Sequence, residues 1–242
     1  MEIIKTVNLT KKYKDVVAVD NLNLSVFKGE IFSLLGVNGA GKTTTIKMLS
    51  TLTRPTSGTA YIKGNDVVTR SSAVKEIIAL SPQETAVAPK LTTKENLEFI
   101  CGIYGFSKEK TQSKTKELTA LLGLEKVIDK RADKLSGGMK RRLSIALSLI
   151  SEPEVLFLDE PTLGLDVLSR SELWDLILSL KGRVTIILTT HYMEEAEHLS
   201  DRIAKMKEGK LLFVGKSHEI KEIAREENFE QAFIKIVKGD KK

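Results

Sequence analysis

The chain has 242 residues, 41% of them hydrophobic and 29% charged. That length suits one α/β domain, or a domain with a small lobe, with room for a substantial core, and that balance excludes disorder except in the last few residues. Lys and Arg total 38 against 32 Asp and Glu, and the net charge of +6 fits either plain solubility or attraction to an anionic partner.

A single cysteine, Cys101, rules out an internal disulfide and fits a reducing compartment. It shares a helical stripe with Leu97, Ile100 and Tyr104 and reads as a core residue. The longest apolar runs, such as Val155 to Leu158 and Ile186 to Leu188, are far shorter than the roughly 20 residues a membrane-spanning helix needs. Met1 to Asn8 carries charge in a short alternating pattern and does not read as a signal peptide. The expectation is a soluble protein that stays where it is made.

Taken in chain order, residues 2 to 35 read as strands. Leu22, Leu24 and Val26 alternate with Asn23 and Ser25, the period of a half-buried strand. Ile31 to Leu35 is a short apolar run ending at Gly36. From Lys42 a helix is predicted, with Ile46, Leu49 and Leu52 on one side. Residues from about 90 to 150 are rich in Lys, Glu, Leu and Thr. There Leu118, Leu121 and Leu122, then Met139, Leu143, Ala146, Leu147 and Ile150, fall at helical spacing, so a helical lobe is expected. Strands at 155 to 158 and 184 to 188 flank a helix around Leu173, Trp174 and Ile177, which implies a parallel sheet. Glu208-Gly209 is a hairpin turn between two short strands. Phe229, Phe233, Ile236 and Val237 suggest a last amphipathic helix over 228 to 237, before a Lys-rich tail from Lys238 to Lys242. No internal repeat is evident.

Residues 36 to 43, Gly36-Val37-Asn38-Gly39-Ala40-Gly41-Lys42-Thr43, form a G-x-x-x-x-G-K-[ST] loop between a strand and a helix. Its glycines let successive N–H groups turn inward on an anion, and the helix N-terminus adds partial positive charge. Lys42 is placed to neutralise β- and γ-phosphates, and the Thr43 hydroxyl to ligate Mg²⁺. Kinases, GTPases, helicases and ABC ATPases all share such a loop. Val155-Leu156-Phe157-Leu158-Asp159-Glu160 then delivers two carboxylates at a strand's carboxyl end, where ligands bind in open α/β sheets. Asp159 is suited to hold Mg²⁺ through water. Glu160 is suited to polarise a water attacking the γ-phosphate.

Leu135-Ser136-Gly137-Gly138-Met139 opens a helix, and Ser136 precedes Asp159 by 23 positions. This segment resembles the signature of ABC ATPases, and physically it is a second anion site at a helix N-terminus. The resemblance covers residues 1 to about 225. It implies a P-loop NTPase of the ABC ATPase fold: an α/β domain with a mixed core sheet, an N-terminal antiparallel β subdomain and an inserted α-helical lobe, with residues 226–242 appended. It implies a head-to-tail homodimer or pseudo-dimer sandwiching two ATP molecules. Tyr13 matches the aromatic that stacks on adenine, although a surface strand tyrosine is the alternative. The P-loop match runs on to Thr44. Gln83 matches the glutamine that reaches Mg²⁺ and the attacking water. Leu163-Gly164-Leu165-Asp166 matches the loop crossing the dimer interface. His191, 31 positions beyond Glu160, matches the histidine contacting the γ-phosphate. Val37 stands where many members carry Pro.

Gly137 to Leu143 and Thr190 to Glu197 resemble the drug-export and sodium-extrusion (ABC-2 type) branch more than importers. The implied partners are ATP and transmembrane permease subunits, with ATP and Mg²⁺ bound and the chain peripheral on the cytoplasmic face of the cell membrane. A soluble ABC ATPase of DNA repair or translation is the alternative, as is an importer ATPase. Only 93 positions separate Thr43 from Ser136, too few for the long coiled coils of repair proteins, and there is one cassette rather than two. A nucleic-acid-binding module would need interleaved aromatics, and aromatics are 5%, so no nucleic acid is expected.

Overall fold

The computed structural model describes residues 1–239, with side chains as far as Lys235. The strands are β1 (Glu2–Tyr13), β2 (Val16–Leu22), β3 (Ser25–Phe27), β4 (Ile31–Leu35), β5 (Ser57–Ile62), β6 (Asn65–Asp66), β7 (Ile78–Ser81), β8 (Val155–Asp159), β9 (Thr185–Thr190), β10 (Arg202–Lys207) and β11 (Lys210–Gly215). The helices are α1 (Lys42–Leu49), α2 (Ser71–Ile77), α3 (Thr93–Ile103), α4 (Lys108–Leu121), α5 (Gly137–Leu149), α6 (Val167–Ser179), α7 (Met193–Leu199), α8 (Ser217–Ala224) and α9 (Phe229–Gly239).

Two sheets form. In the first, β1 pairs antiparallel with β2, β3 and β5, and β6 extends the edge beside β5. The second runs β11-β10-β4-β9-β8-β7 and is parallel except for β11, which returns antiparallel through the turn at Glu208 and Gly209. Both turn residues have positive φ, 49° and 79°, the geometry of a tight hairpin. The expected mixed sheet and antiparallel β layer are both present.

β4, β8 and β9 are buried along their whole length, which is why they read as continuous apolar runs. Their alternate residues feed opposite cores. Leu156 and Leu158 face the helices and pack with Leu143, Leu173 and Ile177. Val155 and Phe157 face the other way, with Phe32, Ile46 and Leu49 and with Ile4 and Leu9 of the antiparallel sheet. A smaller core holds Leu35, Ile203, Phe229 and Phe233 beneath α8 and α9.

Three expectations are corrected or bounded. Leu52 does not continue the buried side of α1. The helix stops at Leu49, Thr51 reverses the chain at φ 63°, and Leu52 is 62% exposed. The stripe on α3 also divides: Leu97 and Cys101 are fully buried, whereas Tyr104 is the C-cap and is 54% exposed. Burial pushes the Cys101 thiol pKa up, so it is an inert core group. In the C-terminal helix Phe229 and Phe233 pack inward. The side chains of Ile236 and Val237, and the tail end Asp240 to Lys242, lie outside the described residues.

Ile187, at the middle of β9, is fully buried. Ile187→Ala should lower unfolding stability by about 2–5 kcal/mol and Ile187→Val by about 0.5–1.5 kcal/mol, both read by guanidinium denaturation.

Candidate functional site

A cleft of about 620 Å³ opens where β4, β7, β8 and β9 end. Asn38 to Thr44, Gln83, Glu160 and His191 line it, with Val16 to Ala18 and Glu208 at its rim. Each of those four strands thus supplies one loop, as the carboxyl edge of a parallel sheet dictates.

The Gly36–Thr43 loop is tied to the sheet where the Gly36 N–H donates to the Thr190 carbonyl at 3.1 Å. Gly41 has φ +100°, and a Cβ there would sit 2.4 Å from the Ala18 carbonyl oxygen, so only glycine fits this turn. Gly41 is also the N-cap of α1 and offers no side-chain cap, which leaves first-turn N–H groups available to an anion.

Lys42 is 5% exposed. Its Nζ donates to the Gly36 and Val37 carbonyls at 2.7 and 3.3 Å and lies 3.0 Å from Glu160 Oε1. The other carboxylate oxygen, Glu160 Oε2, lies 2.8 Å from His191 Nδ1. Asp159 Oδ1 accepts from the Thr43 hydroxyl at 3.1 Å and the Thr189 hydroxyl at 2.5 Å. The Thr189 hydroxyl in turn accepts from the Glu160 N–H at 2.9 Å. Glu160 holds φ +48°, a left-handed conformation that costs a non-glycine residue on the order of 1–3 kcal/mol and clusters at functional sites.

The structure therefore gathers Asn38, Gly39, Ala40, Gly41, Lys42, Thr43, Thr44, Gln83, Glu160 and His191 around one cleft, with Asp159 reached through Thr43. Tyr13 does not line it. It is 44% exposed at the end of β1, its ring under Lys11 Nζ at 4.8 Å, beside Val16, which does line the cleft. Ser136, Gly137, Gly138 and Asp166 stand elsewhere. Ser136 caps α5 through the Met139 N–H. A Cβ on Gly138 would lie 3.1 Å from Ser169, so glycine there lets α5 and α6 approach. Asp166 caps α6, accepting from the Ser169 N–H and hydroxyl, which lowers its pKa.

Three site residues escaped the sequence reading. Thr189 looks like one more β-former in an apolar strand. Arg141 is 4% exposed and donates to the carbonyls of Pro82 at 2.5 Å, Gln83 at 3.0 Å and Glu160 at 2.9 Å. The signal was a charge sharing a helical face with buried Gly138 and Ile145. Glu195 is fully buried. Its Oε1 accepts from the Thr162 hydroxyl at 2.7 Å and from Trp174 Nε1 at 3.2 Å, and its Oε2 has no hydrogen-bond partner among the described residues.

Among the described residues no group of three or more His, Cys, Asp or Glu is arranged to hold an ion. The Asp159–Thr43 oxygen pair fits Mg²⁺, which binds through one or two carboxylates and takes its other ligands from water and substrate phosphates.

A family model described as ABC transporter matches residues 19–163. The chain belongs to the ABC transporter family. Its relatives in that family include phospholipid-transporting ATPase ABCA3 of Homo sapiens, 44% identical over 88% of this chain and 13% of its own length. Another is daunorubicin/doxorubicin resistance ATP-binding protein DrrA of Streptomyces peucetius, 42% identical over 90% of this chain and 66% of its own. The chain thus spans a small part of ABCA3 and just under two thirds of DrrA. Among solved ABC structures, the dimeric post-hydrolysis state of the ATP-binding cassette MJ0796 bound to ADP and Pi superposes with a TM-score of 0.78. It is 27% identical and covers 88% of this chain and 98% of that one. No helix of the described residues is long and apolar enough to cross a membrane.

Burial, helped by the charge of Glu160, holds the Glu195 carboxyl above its ordinary pKa of 4.5, against hydrogen bonds from Thr162 and Trp174. A carboxyl whose folded pKa is raised favours folding in its protonated form, and that contribution is lost as pH rises through the raised value. Glu195→Gln should therefore gain in melting temperature relative to the parent as pH climbs above 4.5. Thermal melts from acid to neutral pH check this, and a pH-independent difference refutes it.

Proposed function

We propose that the chain binds and hydrolyses ATP and powers transport, export in direction, through transmembrane partner subunits. Two copies would sandwich two nucleotides head to tail at the cytoplasmic face of a membrane. Residues 1–225 act as the ATPase domain, with the lobe of about 90–150 inserted in it and 226–242 appended. Kinship with DrrA, named for drug resistance, supports export over import.

The observation carrying this reading is the Asp159–Glu160 pair meeting Lys42 and Thr43 across one cleft. In the proposed mechanism the P-loop N–H groups and Lys42 hold the phosphates, and Lys42 exchanges Glu160 for phosphate oxygens. Thr43, Asp159 and Gln83 hold Mg²⁺, which when bound supplies charge neutralisation at the phosphates. Released from Lys42, Glu160 orients a water and takes its proton, while His191 steadies the carboxylate and reaches the γ-phosphate. Ser136, Gly137, Gly138 and Asp166 serve the nucleotide held by the other copy, and Tyr13 stacks on adenine at the rim.

Glu160→Gln should retain ATP binding, slow hydrolysis about 10²–10⁴-fold, and accumulate ATP-dependent dimers in size-exclusion light scattering. Normal hydrolysis by a variant that stays monomeric at saturating ATP overturns both the base and the shared site.

We propose that the transmembrane partner docks in a second, largely apolar groove of about 460 Å³, beside α3. Leu52, Ile103 and Tyr104, all more than half exposed, line it with Leu147 and Pro82. Pro82 adjoins Gln83, so this groove and the cleft share one segment. An amphipathic helix on a cytoplasmic loop of the partner fits such a groove. Ile103→Asp should abolish copurification with the membrane subunit and leave soluble ATP binding intact. Retained copurification refutes the placement.

A further inference from the structure

We propose that Arg141 is a positioning residue that clamps Glu160 and the Gln83 segment together and makes α5 and the hydrolytic carboxylate move as one unit. The inference rests on the ATPase reading of the cleft and adds to it a residue that does not line the cleft.

Arg141 is an unusual charge. It is 4% exposed, and all three of its hydrogen bonds go to backbone carbonyls rather than to a carboxylate. Desolvation by burial lowers its pKa, and the charges of Asp159 and Glu195 act on it only at longer range. A guanidinium stays charged in such a setting, because its ordinary pKa lies far above neutrality. Burying a cation against carbonyls alone is an expensive way to pack a helix. Its use lies in geometry: a planar fork with five donors can fix several acceptors at once, which no apolar side chain can do.

The acceptors are the telling part. One arm holds Pro82, the other holds Gln83 and Glu160. Glu160 has φ +48°, so its backbone must be held in place. Its N–H is fixed by the Thr189 hydroxyl at 2.9 Å and the Thr189 carbonyl at 3.2 Å. Its carbonyl is fixed by Arg141 at 2.9 Å and the Leu163 N–H at 3.2 Å. Without the Arg141 arm, only the Leu163 N–H holds that carbonyl, and the peptide after Glu160 can relax toward an unstrained conformation. That relaxation would swing the carboxylate away from Lys42 and His191. The same loss would release the backbone that delivers Gln83.

Arg141 also sits on the helix that Ser136, Gly137 and Gly138 open. Arg141 lies five positions beyond Ser136, about 7.5 Å of helical rise. A ligand drawing on the N-terminus of α5 therefore displaces Arg141, and through it Glu160 and Gln83 together. This gives the signature segment a mechanical route to the hydrolytic carboxylate of its own chain.

The test uses Arg141→Gln and Arg141→Lys in the full chain, alone and combined with Glu160→Gln. Glutamine ends two bonds short of the guanidinium nitrogens and removes both fork and charge, and lysine keeps the charge but has no fork. Both singles should bind a fluorescent ATP analogue within about threefold of the parent, yet lose about 10–100-fold in kcat. In the Glu160→Gln background the further loss should be clearly smaller than in the parent, because the Glu160 arm no longer has a working carboxylate to position and only the Gln83 arm still counts. Amide hydrogen exchange, measured without nucleotide, should quicken in both segments 82–84 and 160–163 while α3 is unchanged. Losses that multiply in the double variants, affinity falling in step with kcat, or unchanged exchange in either segment would overturn the proposal. If Arg141→Gln does not fold, Arg141→Lys carries the same readings. Glu160→Gln that hydrolyses normally sinks the ATPase reading itself, whereas slow Glu160→Gln beside fully active Arg141 variants sinks only the clamp.

Discussion

The buried ion pair between Lys42 and Glu160 requires two chain segments 118 positions apart in sequence to meet within 3.0 Å. The parallel sheet, with β4 and β8 separated by the single strand β9, brings both carboxyl ends to the same edge. A buried charge pair is a poor source of net stability, since desolvating two ions cancels most of their attraction. Its presence therefore demands other compensation. Here that comes from the Gly36 and Val37 carbonyls on Lys42, and from His191 and the Thr189-held backbone on Glu160. The apolar stretches of β4, β8 and β9 provide the burial that holds this polar centre in register.

Most of the frame was legible in the sequence because strand burial and helix periodicity are written in residue type. β4, β8 and β9 are continuous apolar runs, and α5 and α6 show their stripes. Glu208-Gly209 is a turn dipeptide whose conformation its glycine permits. The P-loop and the Asp159-Glu160 pair were legible for a different reason: their chemistry is local, so spacing along the chain is spacing in space. Less legible were the elements between 57 and 81. β6 has two residues, β7 has four, and α2 has seven, too few for a period to emerge. Their positions are set by pairing with β5 and β8, a tertiary effect. Leu52 and Tyr104 failed as core residues for a related reason. A stripe continues past the end of its helix in sequence but not in space.

Arg141 and Glu195 were hidden by the opposite problem. Each is a charged residue in a helix rich in charge, and surface exposure is the ordinary expectation for both. What distinguishes them is partners that lie 19 to 59 positions away, which no local pattern reveals. Arg141 draws together the segments after β7 and β8. Glu195 draws Thr162 and Trp174 together. Long-range polar contacts of this kind are the part of a site that motif reading does not reach, and they decide how rigidly the motif residues are held.

Ser136 and Asp166 each already have work within their own chain. Ser136 accepts from the Met139 N–H and Asp166 from the Ser169 N–H, so both are N-caps. An N-cap satisfies one of the four free N–H groups at a helix start and leaves others directed outward. The cap of α5 therefore orders the N-terminus without consuming its capacity for an anion. Gly137 is exposed and carries no side chain to block approach to that end, whereas Gly138 is buried against Ser169. The first glycine keeps the surface open and the second fixes α5 against α6, whose own cap is Asp166. The two caps and the contact between their helices form one rigid surface unit. Such a surface can meet an anion held by another copy, because it is shaped before the anion arrives.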